Sequence, residues 1–376
     1  MLNKWVKCFA RSQRNGVLAL ALVLGVLGFG LSAKAQKITA FDAPGAGTAA
    51  GQGTFGLGMT PLMAIEGFYV DANNAMHGFL RAPNGAITTF DPPGAGTGAG
   101  QGTVPESINP AGAITGYFID NTGLSHSFLR APNGTLTVFD VSGAGTGAGQ
   151  GTQALAISTT GEIAGQYLDA NTVFHGFLRE PDGTIMTFDA AGAGTEPGQG
   201  TEITTVDGIN PVGAIAGGYI DANNVLHAFV RSPGGAITEF DVPGAVNGEN
   251  NSGINPMGTV TSFYFDASFV LHGYVRAPDG TFTLFDVSGA GSGSGQGTEP
   301  LNINAGGAIT GAYIDANGVN HGFLRAKTGT VTKFDAPGAG TDPGQGTIPT
   351  FNNPANAISG FEIDGSNVAH GFLRTP

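Results

Sequence analysis

Residues 113–140 read AITGYFIDNTGLSHSFLRAPNGTLTVFD, and this stretch decides the architecture. Ala113 to Asp120 is rich in β-branched and aromatic residues and stops at Asp120-Asn121-Thr122-Gly123, a run of turn formers. His126 to Arg130 is a further apolar run, halted by Ala131-Pro132-Asn133-Gly134, where Asn-Gly favours a tight hairpin. Thr135 to Asp140 follows. Upstream, Ile108-Asn109-Pro110-Ala111-Gly112 closes another short segment in turn residues. The order predicts four short antiparallel strands. No stretch carries helical periodicity with caps, so the chain beyond its N-terminal leader reads as all-β.

The pattern recurs along the chain. The seven His residues, His77, His126, His175, His227, His272, His321 and His370, are separated by 49, 49, 52, 45, 49 and 49 residues. Seven Phe-Asp pairs end at Asp42, Asp91, Asp140, Asp189, Asp241, Asp286 and Asp335. A period in this range signals a propeller, solenoid or array, and four strands per period match a propeller blade. The ends refine this. Ile38-Thr39-Ala40-Phe41-Asp42 is only the fourth strand of a unit, whereas His370 to Arg374 is the third strand of a unit lacking its fourth. One orphan strand at each end completes one blade, and a linear solenoid would leave both edges bare. The expectation is a single domain over residues 36–376, a seven-bladed β-propeller whose ring is closed by the N-terminal strand pairing with the last blade.

Residues 1–35 read as a cleaved signal peptide: Lys4, Lys7, Arg11 and Arg14 precede an apolar run from Gly16 to Leu31, and Ala33-Lys34-Ala35 supplies a small-x-small cleavage pattern. The chain is therefore expected to be exported, to the periplasm or the exterior, with no membrane span after cleavage. Cleavage removes the only Cys (Cys8) and five basic residues, leaving ten basic against 28 acidic, a net −18. Disulfides, a thiol nucleophile and thiolate metal sites are then excluded. So acidic a surface repels phosphate backbones, and no nucleic-acid partner is expected.

Three motifs bear on chemistry. A loop of the form Gly-Ala-Gly-Thr/Ser-x-x-Gly-Gln-Gly-Thr, as at Gly94 to Thr103, recurs in six of seven units. Without a following Lys or helix start it reads as a structural turn rather than a phosphate cradle. In each of the six complete cases an Asp, a His six residues on and the Phe-Asp carboxylate fourteen beyond it should share one face, as with Asp120, His126 and Asp140. Asp closing its hairpin as an Asx-turn, with His donating to the second carboxylate, is the structural reading. A metal site or general base is the chemical one, and Asp315 to His321 also has oxygen ligands at a spacing suited to Ca²⁺. Seven equal copies favour the structural reading, so no cofactor is expected, with Ca²⁺ as the alternative. The Arg four residues after each His is expected to pair with a backbone carbonyl or an acid of a neighbouring blade. An aromatic two residues before the hairpin Asp (Tyr69, Phe118, Tyr167, Tyr219, Tyr264, Tyr313) is expected to pack between blades.

Asymmetry lies in the link from fourth strand to next first strand, where the Asp-to-strand distances are 17, 17, 17, 20, 13, 17 and 17. The two exceptions flank the blade beginning near Ile209. Glu202, Asp207, Asn247, Glu249, Asn250 and Asn251 on these loops form the candidate ligand site, since concave polar departures from a symmetric ring are where specific recognition belongs.

His227-Ala228-Phe229, its His-Gly-Phe and His-Ser-Phe counterparts, and the trailing Phe-Asp resemble the bacterial HAF-repeat family of probable extracellular proteins. The likeness spans nearly the whole exported chain. It implies secretion and a β-rich repeat, and transfers no catalytic residue. The leading expectation is an exported, non-catalytic, monomeric scaffold or binding propeller at the cell envelope or outside the cell, with multivalent glycan binding as a variant. Its partner would be a polysaccharide or another envelope or extracellular protein. The alternative is a secreted hydrolase or lyase with its site near residues 202–252.

Overall fold

The computed structural model describes residues 36–203, 208–246, 248 and 253–376. Among them are 28 β-strands and no helix, as the absence of capped helical periodicity predicts. The second unit is representative. Its strands Gly102–Ile108, Ile114–Ile119, Ser125–Arg130 and Leu136–Phe139 pair antiparallel in chain order. The first strand carries a bulge between Pro105 and Ser107, which leaves Glu106 outside the ladder. Hairpin turns sit where Asn-Gly and the Asp-led runs lie.

The same four-strand pattern repeats from unit to unit, and the last unit takes its fourth strand from the other end of the chain. Lys37–Phe41 pairs antiparallel with Ala369–Thr375, in a register that sets Ile38 opposite Arg374 and Phe41 opposite Gly371. Consecutive units also touch directly. Gly102 forms a parallel bridge to Met76 of the preceding unit at a φ of 108°, and an added Cβ would lie 2.0 Å from the Met76 carbonyl oxygen. Only glycine satisfies both demands. The first strands of the first three units lie against one another, as do those of the fifth, sixth and last units, and Gly53–Met59 lies against Gly346–Asn352.

Between units the contacts are apolar and repeated. The Phe two residues after each His is wholly buried in most units: Phe79, Phe128, Phe177, Phe229, Phe323 and Phe372 each have no exposed surface. The fifth unit uses Tyr274 there. Each of the six Phe packs beside the Phe-Asp ring of the preceding unit, as in Phe90 with Phe128 at 6.0 Å and Phe41 with Phe79 at 6.0 Å, both edge to face, while Tyr274 meets Phe282 of its own unit at 6.0 Å. The core is thus distributed along the seams.

Candidate functional site

The Asp–His–Asp sets are assembled in every unit. Each His Nδ1 lies 2.6–3.0 Å from the Phe-Asp carboxylate, as in His126 to Asp140 at 2.8 Å. Each Nε2 lies 3.6–3.9 Å from the hairpin Asp. The set of the last unit is built from both chain ends, with His370 bonded to Asp42 at 2.9 Å. The hairpin Asp closes its turn as an Asx-turn: Asp120 Oδ1 accepts from the Thr122 and Leu124 amides at 2.8 and 2.9 Å. An aromatic of the adjoining strand stacks on the imidazole, Tyr69 on His77 at 5.0 Å and Phe118 on His126 at 5.1 Å. The same rings also lie against the link from the preceding unit, Tyr69 clustering with Ala43 and Phe41 and Tyr167 with Val141 and Phe139.

The electrostatics match this geometry. At Asp71, burial acts to raise the carboxyl, but amide donors from Ala75 and Asn73 outweigh it and hold the group below its ordinary range. At His227 burial disfavours the charged ring, yet the hydrogen bond and charge of Asp241, with Asp221, raise it above its ordinary value. His370 is raised in the same way by Asp42 and Asp364. No group of three or more His, Cys, Asp or Glu arranged to hold a metal ion occurs among the described residues.

The arginines do something other than expected. Each guanidinium lies over the Phe-Asp ring of the preceding unit, at 4.4–4.9 Å from the centroid: Arg81 over Phe41, Arg130 over Phe90, and so on to Arg374 over Phe334. Among the described residues no Arg forms an ion pair with an acid, and the carbonyl contacts go to the next residue in sequence, Arg179 to Glu180 at 3.2 Å and Arg231 to Ser232 at 3.5 Å. A planar, weakly hydrated cation stacks on an aromatic face without needing a buried carboxylate, which would cost desolvation. The Gly-rich loop is also closed on itself. Gln150 accepts from the Gly147 amide at 2.8 Å and donates to the Ala170 carbonyl at 3.0 Å. The loop's Thr152 hydroxyl accepts from Val141 N at 3.0 Å.

Of the six candidate ligand residues, Glu202 is described: it ends the strand Gly200–Glu202, opposite Gly218, and is buried. Asp207, Asn247, Glu249, Asn250 and Asn251 lie outside the described residues. The flanking strand Gly253–Ile254 is two residues long, against seven for the first strand of the second unit.

Two features escaped the sequence reading. Glu106 and Glu299, on the first strands of the second and sixth units, are surrounded closely enough that burial pushes their carboxyls up to about 8 and about 7. The other is a hollow of about 270 Å³ between the sixth and last units, lined by Lys327, Asn304, Asn356, Thr330, Thr332 and Leu324 among others. Lys327 stands two residues after its unit's Arg, where the other six units have Pro. That exception was the available signal.

No protein-family model matches the chain, and no curated protein does. Solved structures do. A streptogramin B lyase structure has a TM-score of 0.57 at 14% identity, covering 90% of this chain and 97% of its own. A catalytically inactive virginiamycin B lyase from Staphylococcus aureus, solved with quinupristin, also has 0.57 at 14%, covering 91% and 100%. The BP39L lectin from Burkholderia pseudomallei has 0.50 at 12%, covering 91% and 99%. At such identities the likeness is one of fold: the chain is β-propeller-like.

Proposed function

We propose that this protein is an exported, closed seven-bladed β-propeller acting as a non-catalytic binding or structural scaffold at the cell envelope or outside the cell, with carbohydrate as its ligand class. One observation carries the reading: the repeated chemistry-bearing side chains are already engaged in holding the units together. Each His is bonded to a carboxylate, each Arg covers a neighbouring Phe, and the described loop Gln residues close their own loops. A catalytic centre needs a group whose polar atoms face substrate. Closure is supported by Lys37–Phe41 lying along Ala369–Thr375 and by the parallel bridge from Gly53 to Ala369. Export rests on the charged and apolar segments of residues 1–35, and the HAF-repeat resemblance agrees with it. A lectin of the same fold fits a carbohydrate ligand.

The test is a glycan array run with and without EDTA. Retention of a defined glycan set, unchanged by EDTA, is expected. No signal above a heat-unfolded control would remove the carbohydrate reading, and loss in EDTA would replace it with a metal-dependent one at the Asp–His sets.

One observation favours an enzyme instead. Glu106, raised to about 8, would be protonated near neutrality and so able to donate a proton. It lies near Tyr117, which burial and then the Glu106 charge push up. Turnover of any array glycan, abolished by Glu106→Gln in a folded protein, would carry that alternative.

A further inference from the structure

We propose that the hollow between the sixth and last units is a binding site for a sugar ring bearing a carboxylate, a hexuronic acid, with Lys327 as the cation that recognises the acid. The proposal rests on the carbohydrate reading above and deepens it by naming the sugar class and the place.

The site is built by departures from the repeat. In the second, third, fourth and fifth units a Pro two residues after the Arg covers a turn glycine: Pro132 over Gly112, Pro181 over Gly161, Pro233 over Gly213 and Pro278 over Gly258. In the sixth unit the Lys327 stem takes that role, its Cδ 3.3 Å from where a Gly307 Cβ would stand. The stem is therefore held where a rigid ring normally sits, and the ammonium extends beyond it at an exposed position. No hydrogen bond or ion pair engages the Lys327 ammonium among the described residues. Exposed Lys333, by contrast, is engaged by the Ser288 carbonyl at 2.9 Å and lies over the Tyr313 ring.

The opposite rim departs as well. The turn position held by a positive-φ Gly in the second to sixth units is Asn356 in the last, at a φ of 61°. Asn304 Nδ2 donates to the Asn353 carbonyl and to Asn356 Oδ1, both at 2.9 Å, so the two walls of the seam are tied together. Because Asn356 accepts through its oxygen, its NH₂ remains a donor. Thr330 and Thr332 add exposed hydroxyls. Part-buried Leu324 supplies an apolar wall. A cation, an amide donor, two hydroxyls and an apolar wall complement a ring with one carboxylate, several hydroxyls and a C–H face. At about 270 Å³ the hollow suits one sugar residue rather than a long chain. Lys is apt here because a single carboxylate needs only a point charge.

The experiment uses the purified protein and D-galacturonic acid, its methyl ester and acetate, read by saturation-transfer NMR and calorimetry. Galacturonate should bind, the neutral ester and acetate each roughly tenfold or more weakly. Lys327→Pro, which restores the repeat, and Lys327→Gln, which keeps a flexible side chain, should both weaken galacturonate by about tenfold or more without lowering the melting temperature. Galacturonate affinity unchanged in Lys327→Gln overturns the site. Equal binding of acetate overturns the sugar ring as ligand. Failure of galacturonate to bind at millimolar concentration overturns the proposal outright. If the array still retains neutral glycans in that case, the carbohydrate reading survives and only this site falls.

Discussion

Phe269 occupies a turn position at a φ of 59°, where the other units place Asn74, Gly123, Thr172, Asn224, Gly318 and Asn367. Glycine and Asn tolerate this left-handed conformation, whereas a bulky side chain crowds the backbone. Its ring is 52% exposed, so packing repays little of that cost. Phe269→Asn should therefore stabilise the fold by about 1 kcal/mol, seen as a higher melting temperature. An unchanged or lower value would mean that the exposed ring makes a compensating contact. At this scale much was legible in the chain. The Asp–His partnership followed from spacing, because six and fourteen residues span one hairpin each. The Arg–Phe stacking did not, because it joins residues of different units and periodicity is silent on what neighbouring units present to each other. Lys327 and Phe269 are both visible as breaks in the repeat, but their meaning depends on what surrounds them.

Among the elements, the strand Lys37–Phe41 has the most at stake. It pairs over five residues with Ala369–Thr375, and Phe41 carries the Arg81 guanidinium at 4.9 Å and packs on Phe79. Asp42 beside it bonds His370. Deleting residues 36–42 would remove these contacts together and bare the edge of the last unit. The net ladder contribution alone is roughly 2–7 kcal/mol for about four to five bonds at about 0.5–1.5 kcal/mol each. We expect a melting temperature lower by several degrees and concentration-dependent association in light scattering. A monomeric deletion variant with an unchanged melting temperature would contradict the closed ring. The orphan strands at the two ends made this partnership readable in advance, since each lacks a mate of its own.

For the whole molecule, the titrating groups predict how stability follows pH. His227 and His370 are raised above their ordinary 6.5. Their stabilisation is complete below that value and is lost as pH rises through the folded value. Glu106 and Glu299, raised to about 8 and about 7, act in the same direction. Asp71, Asp120, Asp169 and Asp364 are lowered from 3.8, so their contribution is present above that value and lost as pH falls through the folded one. The melting temperature should be highest between about pH 4 and 6 and fall towards pH 8. A melting temperature rising steadily from about pH 5.5 to 8 in calorimetry would contradict the assignment of these groups.

The sequence by itself determined the all-β character, the unit and its four strands, the hairpins, the pairing of each His with a carboxylate, and the strand borrowed across the termini. These are consequences of local turn chemistry, strand alternation and a repeat whose ends are incomplete. Tertiary structure decided what the units present to one another: the Phe rings under neighbouring arginines, the carboxyls of Glu106 and Glu299 pushed up by burial, and the Lys327 hollow. Such features depend on the distance and burial of groups that lie tens of residues apart, and a period records that units are alike without recording how their faces meet.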